Sequence, residues 1–225
     1  MTKAPLSEIL DALEGLYGPP APPETVDPFE MILWETVAYL VDDKTRRQAF
    51  LALRERVGTS PGEILAAPFE TLVEITSCGP SAEQRADRLR QAAGIAMDQF
   101  DGDLMAAARL PFVAARKAMK QFPGVGDPGA EKILLFSKSY PSFTFESNGL
   151  RVLLRLGFGK ESTNYSTSYR SAQADVAEQL TPEFGACVRA YQLLRMHGQT
   201  TCKTASPRCG ECGITALCAY FAGHS

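Results

Sequence analysis

Residues 122–130 read Phe-Pro-Gly-Val-Gly-Asp-Pro-Gly-Ala, the most distinctive local pattern in the sequence. Helical patterns flank it over residues 111–120 and 128–138, so it is predicted to be a tight turn between two helices. Gly124 and Gly126 let the backbone bend sharply, Val125 is expected to anchor the turn in the core, and amides point outward where the second helix starts. Such a turn is either an ordinary helical hairpin or a seat for a phosphate.

Helical periodicity extends from this turn over most of the chain. Apolar residues recur every three or four positions over residues 29–40, 82–97, 130–136 and 148–156. No long alternating segment predicts a sheet, so the chain is expected to be all-α. The proline-rich residues 19–28 are expected to be a linker that follows a short first helix.

Length and composition exclude several classes of protein. The chain has 225 residues, of which 45% are hydrophobic and 22% are charged. These values argue against an intrinsically disordered chain and against a small disulfide scaffold. No apolar run approaches the roughly 18 residues that a membrane span needs. The expectation is a cytoplasmic protein without a signal peptide or a membrane partner, made of one large domain or two small ones.

Charge is distributed unevenly along the chain. The formal net charge of −3 argues, taken alone, against a nucleic-acid partner. Residues 1–43, however, carry one lysine and nine acids, whereas residues 109–160 carry nine basic residues and three acids. This asymmetry predicts an acidic side and a basic side.

Four of the six cysteines are close together near the carboxyl end, in the pattern Cys-x6-Cys-x2-Cys-x5-Cys: Cys202, Cys209, Cys212 and Cys218. Disulfides are disfavoured in a cytoplasmic chain. Zinc remains an alternative, although zinc sites usually use two close pairs and only one is present. One close pair with two longer arms favours a [4Fe-4S] cluster. Cys78 and Cys187 are predicted to be buried thiols.

These motifs, with Leu-Leu-Arg-Met-His-Gly at residues 193–198, resemble endonuclease III and the adenine glycosylases. Those proteins are helix-hairpin-helix DNA glycosylases with a [4Fe-4S] cluster, and the likeness runs from residue 28 to residue 220. It implies two helical domains with the active-site cleft between them. Residues 28–140 would form a six-helix barrel with the hairpin, and residues 1–27 plus 141–225 a helical iron–sulfur cluster domain. It also implies a monomer that binds double-stranded DNA.

The resemblance implies two catalytic carboxylates. In Phe-Glu-Ser-Asn-Gly-Leu-Arg-Val, residues 145–152, Glu146 stands where the family has its catalytic aspartate. A carboxylate there would stabilise positive charge on the deoxyribose as the base leaves. The alternative is an acidic helix cap. Glu35 stands where the adenine glycosylases have the glutamate that protonates the departing base, and its alternative is an exposed helical glutamate.

The lysine that bifunctional members use to attack the sugar is missing, because Pro128 occupies its position. Water is therefore the expected nucleophile. Lys132 lies one helical turn farther on and is expected to be a solvated surface lysine, although it could substitute.

The resemblance also implies the contacts with DNA. Leu40 stands where the family places the residue that fills the gap left by a flipped nucleotide, although a helical leucine is usually core. Asp127 and Pro128 make the hairpin less suitable for phosphate. The expected DNA-contact residues are Gly124, Val125, Gly126, Leu40, Lys120, Arg151, Lys203 and Arg208.

Three functions are consistent with these residues. The first is a monofunctional DNA N-glycosylase of base-excision repair. The second is a weak or inactive DNA-binding paralogue that kept the fold and the cluster. The third, an iron–sulfur protein without a DNA role, does not explain the glycine hairpin.

Overall fold

The computed structural model describes residues 3–223, and its regular structure there is entirely helical, which confirms the all-α prediction. The helices are α1 (Leu6–Tyr17), α2 (Pro28–Thr36), α3 (Asp43–Arg56), α4 (Pro61–Ala66), α5 (Phe69–Thr76), α6 (Ala82–Phe100), α7 (Leu104–Ala108), α8 (Phe112–Met119), α9 (Asp127–Phe136), α10 (Ser147–Leu156), α11 (Tyr165–Ala177), α12 (Phe184–Thr200) and α13 (Ala219–Ala222), with short 3₁₀ turns at Cys209–Glu211 and Thr215–Leu217. No helix in the described part of the chain is long and apolar enough to span a bilayer.

The chain divides into two compact units, and the one formed from a single segment is Pro23–Tyr140. It contains α2 to α9, of which α4 and α7 have only six and five residues. Its central helix is α6, which packs against α2, α4 and α5. The buried face of α6 combines Leu89 with the small residues Ala86, Ala93 and Ala96, so neighbouring helices can approach closely.

The other unit combines the residues up to Pro22 with those from Pro141 onward. Its core forms where α12 packs against α10 and α1. Helix α10 buries Leu150, Leu153 and Leu156 on one face, which is the periodicity expected of an amphipathic helix. Close approach of α12 to α10 requires Gly198, since a Cβ there would lie 2.6 Å from the Asn148 carbonyl oxygen.

The first helix of the central unit is shorter than its apolar pattern predicts. Helix α2 ends at Thr36, and Leu40 has a left-handed backbone with a φ of 55°. Val37 and Ala38 remain fully buried beyond the helix end. The following loop packs closely on Gly79, where a Cβ would lie 2.7 Å from the Tyr39 carbonyl oxygen. The helix therefore ends before the apolar periodicity of the segment does, and the residues beyond it are buried by tertiary packing.

Candidate functional site

The glycine turn predicted from the sequence connects α8 and α9. Gly124 has a φ of 80°, a conformation that favours glycine, and the Val125 amide donates to the Phe122 carbonyl at 3.1 Å. Phe122 is buried and Val125 only half-buried, so the phenylalanine contributes more than the valine to anchoring the turn. Gly126 caps α9 without a side-chain hydrogen bond, and Gly124 and Gly126 are exposed.

An ion pair lies beside this turn. Lys120 Nζ is 2.5 Å from Asp127 Oδ1, and both side chains are partly exposed. Asp127 is in the first turn of α9, where a negative charge interacts favourably with the helix dipole. Asp127 therefore places a negative charge where the resemblance implies phosphate. Its ion pair also engages Lys120, which is expected to contact DNA.

Glu35, near the end of α2, forms an ion pair with Lys132 of α9, and Lys132 Nζ contacts Glu35 Oε1. The lysine side chain is only 15% exposed and the glutamate side chain 45% exposed. The expectation of a solvated surface lysine at this position is therefore wrong. It failed because α2 and α9 pack together, which shields most of the Lys132 side chain from solvent.

Leu40 is strongly exposed, at 76% of its surface, and the neighbouring Tyr39 is 59% exposed. The alternative of a core leucine is therefore wrong. Exposure of two large apolar side chains to water is energetically unfavourable. This arrangement is expected of a wedge that inserts into another molecule.

Glu146 precedes α10 and caps it. Its Oε1 accepts a hydrogen bond from the Gly149 amide at 2.9 Å, and its Oε2 accepts one from Asn148 Nδ2 at 2.8 Å. The helix-cap interpretation thus describes its local geometry. The residue is half-buried, so the carboxylate is held in place without being enclosed.

Arg151 connects this cap to the cysteine segment. Its Nη2 donates to Asn148 Oδ1 and to the Gly198 carbonyl, each at 2.8 Å, and its Nε donates to the Cys202 carbonyl at 3.0 Å. The guanidinium therefore satisfies three internal acceptors. Its expected contact with DNA stays a prediction and would compete with these bonds.

The structure adds one residue that the sequence did not single out, Tyr165 at the start of α11. Its ring is 46% exposed and stacks on the buried ring of Tyr169, at 6.3 Å between centroids and 14° between planes. Partial burial and, secondarily, the negative charge of Glu146 raise the pKa of the Tyr165 phenol. No motif marks this tyrosine, and only packing places its ring in the field of Glu146.

All four carboxyl-terminal cysteines line one pocket, whose apolar wall includes Val152, Leu156 and Ile214. The thiols are half-buried and form no disulfides. Within residues 3–223 no three His, Cys, Asp or Glu side chains are arranged to hold a single metal ion. Four soft sulfur ligands around one apolar cavity fit a group larger than one ion, as an iron–sulfur cluster is.

Two other side chains contact these thiols. Arg155 Nη1 lies 3.3 Å from Cys202 Sγ. His197 is buried, and burial lowers its pKa to about 4. Its Nε2 lies 3.8 Å from Cys212 Sγ, while its Nδ1 hydrogen-bonds with the Tyr17 hydroxyl at 2.8 Å. The amino-terminal helix therefore contributes to the surroundings of the pocket.

Of the remaining predicted residues, Lys203 and Arg208 are exposed in the loop between the first two pocket cysteines. Cys187 is buried as predicted, and burial raises its pKa to about 12. Cys78 is exposed, so the prediction of a buried thiol there is wrong.

No family model matches the chain. Individual relatives do match it over most of its length. Endonuclease III of Sulfolobus acidocaldarius is 26% identical over 201 residues, which cover 88% of this chain and 84% of the relative. The thymine/uracil-DNA glycosylase of Methanothermobacter thermautotrophicus is 29% identical over 162 residues, which cover 71% of this chain and 67% of the relative.

A solved structure has the same fold. It is a trapped endonuclease III–DNA covalent intermediate that aligns with a TM-score of 0.78 and 18% identity. The alignment covers 100% of this chain and 99% of the other.

Proposed function

The chain belongs to the helix-hairpin-helix DNA glycosylase superfamily, and we propose on this premise that it is a monofunctional DNA N-glycosylase of base-excision repair. It acts on double-stranded DNA as a monomer. It flips a damaged or mismatched nucleotide and hydrolyses the bond between base and sugar.

Glu146 is the catalytic carboxylate in this proposal. The observation that carries it is a half-buried carboxylate at the start of α10, held by the Gly149 amide and Asn148. A charge held in this way needs no reorganisation during the reaction. It stabilises the positive charge that develops on the deoxyribose as the base departs. The negative charge of Glu146 also contributes, after burial, to raising the pKa of the Tyr165 phenol.

Water is the attacking nucleophile, because Pro128 has no amine with which to form a Schiff base. Borohydride treatment during reaction with a lesion duplex is therefore expected to trap no covalent protein–DNA adduct. A lysine-bearing endonuclease III, run in parallel, is the positive control. A strong adduct with the present protein would contradict the proposal.

Cys202, Cys209, Cys212 and Cys218 would hold a [4Fe-4S] cluster. When bound, the cluster supplies a covalent link between segments that otherwise have little regular structure, together with a redox-active centre. The chain's own contribution is the apolar wall of the pocket and the contacts of Arg155 and His197 with the thiols.

Contact with DNA is assigned to separate parts of the chain. The exposed amides of Gly124 and Gly126 in the hairpin bind backbone phosphate, and Lys203 and Arg208 add charge near the cysteine pocket. Leu40 acts as the wedge. Lys120 contributes once it exchanges Asp127 for phosphate.

One observation favours the second candidate, a DNA-binding paralogue without catalysis. Both Glu146 oxygens already accept hydrogen bonds within α10, which is a sufficient structural reason for a carboxylate at that position. In this case the protein would bind duplex DNA with a strong salt dependence and release no base.

Two measurements separate the candidates. Base release is measured on a panel of damaged and mismatched duplexes, and duplex affinity is measured as a function of salt. Release of any base that Glu146→Gln abolishes supports the glycosylase. Salt-dependent binding without release from any substrate supports the paralogue, and absence of both would contradict both candidates.

A further inference from the structure

His197 lies between the amino-terminal helix and the cysteine pocket. It is on α12, it is buried, and both of its ring nitrogens have a partner. Its Nδ1 lies 2.8 Å from the Tyr17 hydroxyl of α1, and its Nε2 lies 3.8 Å from Cys212 Sγ. Burial favours the neutral imidazole, which has one N–H donor and one bare acceptor nitrogen. The direction of both hydrogen bonds therefore depends on which nitrogen has the proton.

The chemistry of Cys212 decides between the two tautomers. A cysteine that holds iron is a thiolate, and a thiolate accepts hydrogen bonds but donates none. A bare nitrogen facing that sulfur would place two lone pairs against each other. The proton therefore lies on Nε2 of His197, and Nδ1 accepts a hydrogen bond from the Tyr17 hydroxyl. Thr201 Oγ1 lies 3.1 Å from the same hydroxyl and is able to donate to its oxygen.

We propose that His197 tunes the iron–sulfur cluster through Cys212, by donating its Nε2–H to the ligand sulfur, and that Tyr17 fixes this donor. The inference rests on the proposed [4Fe-4S] cluster. A donor to a ligand sulfur stabilises the negative charge that is gained on reduction, so it raises the reduction potential. The Tyr17 hydroxyl engages Nδ1 and thereby keeps the proton on Nε2. Because His197 acts through Cys212, it is a positioning residue.

Helix α1 is held where this role requires it. It packs on α12, the helix that bears His197. At its carboxyl end Leu16 approaches Gly213, where a Cβ would lie 2.8 Å from Leu16 Cδ2. Gly213 directly follows Cys212, and its lack of a side chain permits this approach. The end of α1 therefore reaches the cysteine segment by two routes, Leu16 on Gly213 and Tyr17 through His197.

Two substitutions of His197 separate the roles of its two nitrogens. The amide nitrogen of glutamine can lie near the position of the imidazole Nε2, so His197→Gln keeps a donor toward Cys212. Asparagine is shorter and reaches only the position of Nδ1. His197→Asn therefore keeps a partner for Tyr17 and loses the donor to sulfur. Both variants remove the ring, so a purely structural role of His197 would make them behave alike.

The measurement is the midpoint reduction potential of the cluster-loaded full chain by voltammetry. His197→Asn is expected to shift the potential to more negative values, and His197→Gln should stay near the native value. Tyr17→Phe removes only the hydroxyl and should give a smaller shift in the same direction as His197→Asn. The matched control is Tyr39→Phe, the same exchange at an exposed tyrosine of the other compact unit, which should leave the potential unchanged.

Iron content and visible absorption of every variant are measured first. Unchanged potentials in His197→Asn and Tyr17→Phe would overturn the inference while leaving the cluster in place. Equal shifts in His197→Asn and His197→Gln would overturn it as well, since loss of the ring would then be the cause. If His197→Asn does not retain the cluster, the milder Tyr17→Phe carries the test. A native protein without a cluster would instead contradict the proposed cofactor, and the test does not depend on base release.

Discussion

Replacement of Glu146 separates a catalytic carboxylate from a helix cap, because the two roles predict effects of different size on different measurements. As a cap, the side chain accepts one hydrogen bond from the Gly149 amide. Removing an N-cap side chain typically costs about 1 kcal/mol of stability. In a chain of this size, Glu146→Ala should lower the melting temperature by roughly 2–4 °C.

The effect on rate should be much larger. Loss of one preorganised group that stabilises transition-state charge costs about 100- to 1000-fold in rate, or roughly 3–4 kcal/mol. Glu146→Gln is therefore expected to reduce base release by that factor. Glutamine presents an NH2 group toward Asn148 Nδ2, so one hydrogen bond is lost, at a cost of about 1 kcal/mol in stability. Duplex affinity should not decrease, since a negative charge is removed.

Glu146→Asp tests whether the position of the carboxylate matters. Aspartate is a good N-cap, so stability should be nearly unchanged. Its carboxylate is retracted by one methylene from Gly149 and Asn148, which are adapted to the longer side chain. Base release should therefore fall, by about 100-fold for a displacement near 1 Å.

The assay is single-turnover base release with excess enzyme, accompanied by thermal unfolding of each variant. Ser147→Ala is the matched control, because Ser147 makes only a long contact of 3.5 Å with the same carboxylate. A glycosylase whose rate is unchanged in Glu146→Gln would refute the catalytic role of Glu146. A rate loss accompanied by an equivalent loss of stability would show that the residue acts only as a cap.

Further predictions concern the cysteine pocket, the arginine bridge and the hairpin. Purified protein should be yellow-brown with about four irons per chain. Cys209→Ser should remove the colour, whereas Cys78→Ser, at an exposed cysteine outside the pocket, should keep it. Metal analysis and visible absorption are the measurements, and a colourless protein with one zinc would contradict the cluster. Arg151→Gln leaves internal acceptors without their donor and should cost on the order of 3 kcal/mol in chemical unfolding, whereas an exposed arginine that only contacted DNA would cost almost nothing. Asp127→Asn should release Lys120 from its ion pair and tighten duplex binding several-fold at low salt, with a steeper dependence of affinity on salt; weaker binding in a salt titration would show that the pair supports the hairpin.

Local patterns in the sequence were enough to predict the helix-hairpin-helix turn and the group of four cysteines. Both depend on short spacings, since glycine permits one backbone conformation at a turn and thiols a few residues apart reach a common centre. The all-α fold also followed from the sequence, because helical periodicity repeats over many short segments.

Tertiary packing decided the features that join distant residues. The partner of Glu35 is 97 residues away, and no local pattern indicates that Lys132 faces it. Leu40 continues an apolar helical pattern, but the helix ends before it, its loop packs on Gly79, and the leucine is exposed. Arg151 belongs to a basic stretch, and only the approach of α12 supplies the Gly198 carbonyl that its guanidinium donates to. A sequence specifies which groups a chain has, whereas the packing of helices decides which of them meet, because side-chain contacts depend on backbones brought together from far apart in the chain.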